Sequence, residues 1–303
     1  MHSSLRRLLK NISIRLTEYT MTKIDIQQEV TAQIIELMET EGTNWTKPFE
    51  ALAGIPQNAS TGNEYNGINV LLLALQGQTY WASYKQWQEM GAQVRKGERG
   101  TRITCPIIIR DKDDDSIKGK FFKAATVFSA AQVDGWEAPS VDIPKSQINV
   151  SQIVEEWIAN TGAKITFNDA GSCFYRPSDD FISMSRPESF HDTDTSTATE
   201  CYYSTLLHEL THWSGAAHRL DRTKGKKFGD SAYAFEELVA EIGAAMQCVI
   251  LGVSSTPRPD HAKYLNHWIK VLKDDKRFIF DAASEAQKAV NFISELQSIR
   301  EAA

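Results

Sequence analysis

The chain has 303 residues, 42% of them hydrophobic, and a formal net charge of −6 at pH 7. This length can form one large or two moderate domains, and we expect two, each with its own hydrophobic core. The negative charge excludes binding of nucleic acid through bulk charge, so such binding needs a local basic patch. The four cysteines are scattered and no apolar run is long enough to span a membrane, so we expect a cytoplasmic protein without a membrane partner.

Residues 1–22 differ from the rest of the chain because they are basic. The segment contains one acidic residue, Glu18, and four basic residues, which are Arg6, Arg7, Lys10 and Arg15. We interpret this leader as an upstream extension that contributes little to the fold, with a DNA-contacting or disordered arm as the alternative.

Residues 23–140 are predicted to form a first domain of mixed helices and strands. Apolar spacing predicts an amphipathic helix over 26–38, and two β-rich segments, 103–109 and 121–128, predict a hairpin. A stretch with proline and little periodicity at 134–145 marks the domain boundary.

Aromatic and basic side chains are interleaved between residues 80 and 102. Proteins that bind single-stranded DNA stack bases on aromatic rings and place cations along the phosphates. The candidate DNA contacts are Trp81, Tyr84, Lys85, Trp87, Arg95, Lys96, Arg99 and Arg102. The steps of three between the aromatic residues also fit the core face of a helix, in which case the charged turn is only a solvated hairpin.

The segment His208-Glu209-Leu210-Thr211-His212 carries the clearest chemistry. Two imidazoles four residues apart lie on one face of a helix and can bind one zinc ion per chain. Glu209 between them is then the candidate general base for the water in the open coordination position. Apolar spacing before the motif and Gly215 after it place the motif on a helix.

A third protein ligand is needed, and the sequence offers two main candidates. His218 completes a local His-Glu-x-x-His-x-x-Gly-x-x-His pattern, although no methionine turn accompanies it. In His-His-Glu zincins the ligand glutamate lies on a helix about this far downstream, and an acid four residues later orients a zinc-binding histidine. Glu237 and Glu241 fit these two roles. We favour Glu237, with His218 as the alternative and Glu236 or Glu241 as lesser candidates.

Residues 141–303 form the second predicted domain. A helix near 153–158, strands at 165–167 and 181–184, the zinc helix and three later helices give it an α+β character. Peptide hydrolysis here also needs a partner for the oxyanion, and Tyr233 or His218 can serve.

Several ordered segments together resemble the ArdC-type antirestriction proteins of conjugative plasmids, which are similar at their N-terminal end to plasmid TraC-type primases. These segments are residues 58–69, 91–98 and 126–128 and the zinc motif with residues 236–241. The resemblance covers roughly residues 23–300. It implies an N-terminal single-stranded DNA binding domain and a C-terminal zincin-like metallopeptidase domain.

The resemblance also implies protection of incoming plasmid DNA from host restriction, with a restriction enzyme or another DNA-bound protein as the peptidase substrate. Two alternatives stay open: a zinc-dependent peptidase with no direct DNA role, and a non-catalytic DNA-coating protein with a structural zinc. An alanine substitution at Glu209 would distinguish the enzyme from the binding module, because in the enzyme zinc should stay bound while only proteolysis is lost.

Overall fold

The computed structural model describes residues 25–110, 116–139, 150–193, 196–222, 231–253 and 262–301. The predicted leader at 1–22 lies outside the described residues. We refer to residues 25–139 as the N-terminal part and to residues 150–301 as the C-terminal part. The fold mixes helices and sheets in both parts, as the sequence predicted.

The N-terminal part combines helices with a mixed sheet. Its helices are α1 (Ile26–Glu41), a 3-10 helix (Gly42–Ala51), α2 (Ile68–Ala74), α3 (Tyr84–Glu89) and a second 3-10 helix (Ala130–Gln132). Its strands are β1 (Gln57–Asn58), β2 (Tyr80–Ala82), β3 (Gln93–Val94), β4 (Thr101–Arg110), β5 (Ile117–Ser129) and β6 (Val133–Asp134). The main sheet has the order β1-β2-β5-β4, and β3 pairs separately with β6. The predicted hairpin is present as the long antiparallel pair β4–β5.

The C-terminal part places helices against a small sheet. Its helices are α4 (Val150–Thr161), a 3-10 helix (Pro187–Ser189), α5 (Ala198–Ser214), α6 (Ser231–Leu251), α7 (Ala262–Asp274) and α8 (Phe278–Glu301). Its strands are β7 (Lys164–Asn168), β8 (Phe174–Arg176) and β9 (Phe181–Ser185). The sheet order is β7-β9-β8, with β7 parallel and β8 antiparallel to β9. Strand β8 therefore lies at an edge. None of the described helices has the length and apolar character that crossing a membrane requires.

Helix α5 begins with a strong local signal and then runs through the core. Thr197 accepts a hydrogen bond from the Glu200 amide, and the Glu200 carboxylate accepts one from the Thr197 amide, which forms a capping box. Every residue from Cys201 to Ser214 is buried. The polar side chains on this helix are therefore removed from bulk water and need partners on the elements packed around them.

Helices α5 and α6 approach closely because a glycine lies between them. A Cβ atom built on Gly243 would lie 2.7 Å from Cγ2 of Thr211. Gln247, one turn further along α6, donates from Nε2 to Oγ1 of Thr211 at 2.9 Å. A side chain at position 243 would push the two helices apart, so this contact sets their spacing.

The largest hydrophobic core contains residues from both parts of the chain. It joins α1, the first 3-10 helix and α2 to α6, α7 and α8, with Met38, Trp45, Leu71, Leu238 and Ile279 among its fully buried side chains. The expectation of a separate core for each domain was wrong for this cluster. The physical reason is that α6 is apolar on most of its circumference, so it packs on α5 with one face and on the N-terminal part with another.

We expect Leu238→Ala to lower the free energy of unfolding by about 3 kcal/mol, the cost typical of a cavity in a core. Because the core is shared, amide hydrogen exchange should lose protection in α1 as well as in α6. Ile250→Ala is the matched control, since Ile250 is an exposed residue of the same helix and its replacement should change stability by less than about 0.5 kcal/mol. Loss of protection confined to the C-terminal part would contradict a shared core.

Candidate metal centre

Three side chains from two helices converge on one point. His208 and His212 come from α5 and Glu237 comes from α6, and their candidate ligand atoms all lie within 4.8 Å of one another. The two Nε2 atoms are 3.1 Å apart. The Glu237 carboxylate oxygens lie 3.5 Å from Nε2 of His208 and 3.6 Å from Nε2 of His212. All three residues are at most 9% exposed, so their side chains are largely shielded from bulk water.

The chemistry of these donors fits a divalent metal ion. Two imidazole nitrogens and one carboxylate oxygen are a donor set used by zinc and by other first-row metals. Burial alone raises the pKa of the Glu237 carboxyl, but the neighbouring His212 and His208 outweigh burial and hold that pKa well below its usual range. The site thus keeps an anion in a buried position, which suits a cation.

His212 has a second buried partner behind the donor set. Its Nδ1 atom lies 3.1 Å from Oε1 of Glu236, and that carboxylate is also bound by Arg222 through Nη2 at 3.0 Å and Nε at 3.1 Å. Burial raises the pKa of Glu236, yet His212 and Arg222 together bring it down to about 2. Glu236 is therefore ionised, and its counter-charge is the guanidinium of Arg222. Sequence reasoning missed Arg222; the only signal was that a buried acid beside Glu237 needs a counter-charge.

The other acids and histidines considered from sequence take different positions. Glu241 lies on the side of His208 away from the donor set, with Oε2 3.9 Å from Nδ1, which is longer than a hydrogen bond. Its role in orienting a histidine stays a prediction. The side chain of His218 is 63% exposed and lies 3.2 Å from Asp180. His218 is not part of the donor group found among the described residues.

Glu209, the candidate base, is held by the edge strand. The amide of Tyr175 on β8 donates to Oε2 of Glu209 at 2.8 Å, and Glu209 is buried. This contact fixes one oxygen of the Glu209 carboxylate. The sequence did not point to Tyr175, because the contact uses its backbone amide, and every residue type except proline has such an amide.

Strand β8 is anchored by a polar network at the end of α5. The Tyr175 hydroxyl donates to Asp180 at 2.8 Å, and Arg219 donates to the other Asp180 oxygen at 3.0 Å and to the Tyr175 hydroxyl at 3.1 Å. The Arg219 guanidinium also stacks on the Trp213 ring, 3.9 Å from its centre. The hydrogen bond from Arg219 lowers the pKa of Asp180 to about 2, while burial and the bond to Asp180 raise the pKa of Tyr175 to about 12.

Of the two candidate oxyanion partners, only Tyr233 lies beside the donor set. Burial raises the pKa of Tyr233, and hydrogen bonds with Tyr264 and Glu237 add to this rise. The Tyr264 hydroxyl donates to the Tyr233 hydroxyl at 3.2 Å. His218 is instead exposed and contacts Asp180.

Two of the predicted DNA contacts are core residues. Trp81 is 2% exposed and Trp87 is fully buried. Their indole nitrogens donate to the backbone oxygens of Gln78 and Phe128 at 2.7 and 2.9 Å. The prediction that these rings stack on bases was wrong, because a buried ring has no face open to a ligand.

Three of the predicted basic contacts form ion pairs within the chain. Arg102 lies 3.0 Å from Glu29, and Lys85 lies 3.3 Å from Glu89. Arg95 contacts the carboxylates of Glu98 and Asp134, and it also donates to the backbone oxygens of Ala131 and Val133. These pairs reduce the positive charge that Arg102, Lys85 and Arg95 can offer to phosphates.

The remaining predicted contacts are accessible. Tyr84 is 44% exposed, and Lys96 and Arg99 are exposed. Tyr84 and Lys96 line a groove of about 520 Å³ whose wall includes Phe128, and the Tyr84 and Phe128 rings meet edge to face at 6.3 Å.

Comparisons with known proteins match both parts of the chain. Residues 152–285 match the family of zincin-like metallopeptidases, and residues 24–128 match the N-terminal domain of anti-restriction factor ArdC. Protein y4eC of Sinorhizobium fredii (strain NBRC 101917 / NGR234) is 36% identical over 296 residues, which cover 91% of this chain and 94% of y4eC. DNA primase TraC of Escherichia coli is 36% identical over 308 residues, which cover 93% of this chain and 21% of TraC.

Solved structures match over nearly the same length. Crystal structures of antirestriction ArdC from plasmid R388, one metal-free and one with Mn(II) bound, are 36% identical and cover 91% of this chain and 99% of theirs. Their TM-scores are 0.72 and 0.74. Fold and site therefore define a zincin-like metallopeptidase domain joined to an ArdC-type N-terminal domain. The chain belongs to the ArdC family of antirestriction proteins.

The Asp180 network predicts a specific acid dependence of stability. The pKa of Asp180 is about 2 in the folded protein and 3.8 for the ordinary side chain, so its contribution is complete above pH 4 and is lost as the pH falls through 2. We expect Asp180→Asn to lower the urea midpoint at pH 6 and to have a progressively smaller effect as the pH falls from 4 towards 2 and below. A midpoint difference that persists unchanged down to pH 2 would contradict this assignment.

Proposed function

We propose that this protein is a plasmid antirestriction protein that binds single-stranded DNA through its N-terminal part and hydrolyses peptide bonds at a zinc site in its C-terminal part. His208, His212 and Glu237 would hold the metal. The observation that carries the proposal is the convergence of these three donors in a buried site. Glu209 lies between the two histidines on the same helix and accepts a hydrogen bond from the Tyr175 amide. The Mn(II)-bound structure of the related ArdC supports the metal, and zinc is our choice because of the donor set.

The chain's own residues supply the remaining parts of a hydrolytic site. A metal ion, when bound, would act as a Lewis acid that polarises the scissile carbonyl and makes water more acidic. Glu209 would take a proton from water and pass it to the leaving amine, with one oxygen held by the Tyr175 amide. Tyr233 would donate a hydrogen bond to the negative charge that develops on the carbonyl oxygen. Edge strand β8 offers an extended peptide a strand to lie against.

The DNA surface would be centred on Tyr84, Lys96 and Arg99. These are the predicted contacts that are exposed and that form no ion pair within the part of the chain that the structure describes. A base can stack on the open face of Tyr84 while the two cations follow the phosphates. With a chain charge of −6, this surface must act locally, so binding should weaken steeply with salt.

We expect Glu209→Gln to retain one zinc per chain and to lose proteolysis by about 10²- to 10⁴-fold, because the general base is removed while the ligands stay. Glu237→Ala should lose the zinc itself. Metal analysis and cleavage of a protein substrate on purified variants measure both. Equal zinc content in Glu237→Ala and the wild type would contradict the ligand assignment.

The same Glu209→Gln variant tests the biological role. If proteolysis is the antirestriction mechanism, plasmid transfer into a restricting host should fall to the level without the protein. Full protection by the variant would instead support a DNA-coating protein whose metal is structural.

We expect Lys96→Ala and Arg99→Ala each to weaken single-stranded DNA binding and to reduce the slope of log K against log salt by about 0.7, the value for one phosphate contact. Arg102→Ala is the matched control, since its guanidinium already pairs with Glu29. Fluorescence anisotropy across a salt series gives the slopes. Slopes unchanged in both variants would place the DNA elsewhere.

A further inference from the structure

We propose that Glu236 and Arg222 form a positioning pair that fixes the tautomer and ring orientation of His212 for metal binding, and that Gly215 exists to admit Arg222. The inference rests on the proposed metal site. It concerns residues that contact a ligand and not the metal itself, so it can be tested separately.

The first step concerns the two nitrogens of one ring. Nδ1 of His212 lies 3.1 Å from Oε1 of Glu236, and both oxygens of this carboxylate already accept hydrogen bonds from Arg222, so Glu236 faces the ring as an acceptor. Nδ1 therefore carries the proton, and the lone pair is left on Nε2. That atom faces the donor set, 3.1 Å from Nε2 of His208 and 3.6 Å from Glu237. The contact thus selects the tautomer that can bind a metal.

The second step concerns what holds the Glu236 carboxylate. Arg222 bonds both of its oxygens, and the guanidinium also donates to the Thr211 backbone oxygen at 2.5 Å and to Oγ of Ser214 at 2.9 Å. Thr211 and Ser214 belong to the turn of α5 that carries His212. The pair therefore ties α6 to that turn of α5, so ring and carboxylate are held in one frame. Both members of the pair are at most 8% exposed, so water competes little for these bonds.

The third step explains a glycine. The backbone at Gly215 has φ −83° and ψ 4°, values that other residues adopt without strain, so its conformation does not require glycine. A Cβ atom built there would lie 2.7 Å from Nη2 and 2.8 Å from Cζ of Arg222. Glycine at 215 leaves room for the guanidinium, so the position of Arg222 depends on the absence of a side chain at residue 215.

Zinc affinity, measured on the full chain by competition with a chromogenic chelator, tests the pair. Glu236→Gln should lose about 10- to 100-fold in affinity, because the amide carries no charge and its NH2 group cannot accept the hydrogen bond that Nε of Arg222 donates to Oε2. Gly215→Ala should lose affinity in the same direction, through displacement of Arg222. Ser204→Ala is the control: it removes a buried hydroxyl of the same helix that donates to the Cys201 backbone oxygen, and it adds no bulk, so affinity should stay within about threefold of the wild type.

A second readout separates positioning from general stability. In ¹⁵N–¹H spectra of histidine rings in the metal-free protein, His212 should carry its proton on Nδ1 in the wild type and should populate the other tautomer in Glu236→Gln. Wild-type affinity and tautomer in Glu236→Gln, even with a lowered melting temperature, would overturn the proposal. So would equal losses in Gly215→Ala and Ser204→Ala. A wild-type chain that binds no zinc would contradict the proposed function instead, and the tautomer measurement would still decide the positioning role.

Discussion

The packing of α5 on α6 is the constraint on which the rest of the site depends. Because α5 is buried from Cys201 to Ser214, its polar side chains cannot be solvated and must find partners on neighbouring elements. The close contact at Gly243 brings the α6 carboxylates within reach of both imidazoles. On the edge strand β8, the backbone amide of Tyr175 donates a hydrogen bond to the buried Glu209 carboxylate. A site of this kind forms only when helix, helix and strand are assembled together.

Two adjacent acids on α6 are compensated in different ways. Successive residues on a helix point about 100° apart, so Glu236 and Glu237 face different neighbours. Glu237 lies between the two imidazoles, whereas Glu236 lies behind one of them and meets Arg222. Arg222 thus neutralises Glu236, whereas the charge of Glu237 is compensated by the two histidines and, in the proposed site, by a metal ion. This division keeps the donor set anionic without leaving an unpaired charge in the interior.

The sequence could predict what is local and could not predict what crosses between elements. The histidines and Glu209 follow from spacing on one helix, and Glu237 follows from the arrangement of ligands in His-His-Glu zincins. Arg222 was missed because it lies in an irregular segment without periodicity. The aromatic and basic residues between 80 and 102 fitted both a DNA surface and a core face, and only tertiary packing shows that Trp81 and Trp87 belong to the core. Gly215 was correctly placed at a helix end, but its reason is the neighbouring guanidinium.

The shared core also bears on how such a protein is inherited. Helices from the two parts bury the same side chains, so neither part retains a complete interior when the other is removed. The match to TraC includes both parts, over 93% of this chain, although it spans only 21% of that longer protein. A recombination junction placed between the parts would expose apolar surface on each product. Recombination is therefore expected to move this unit whole, with its breakpoints outside both parts.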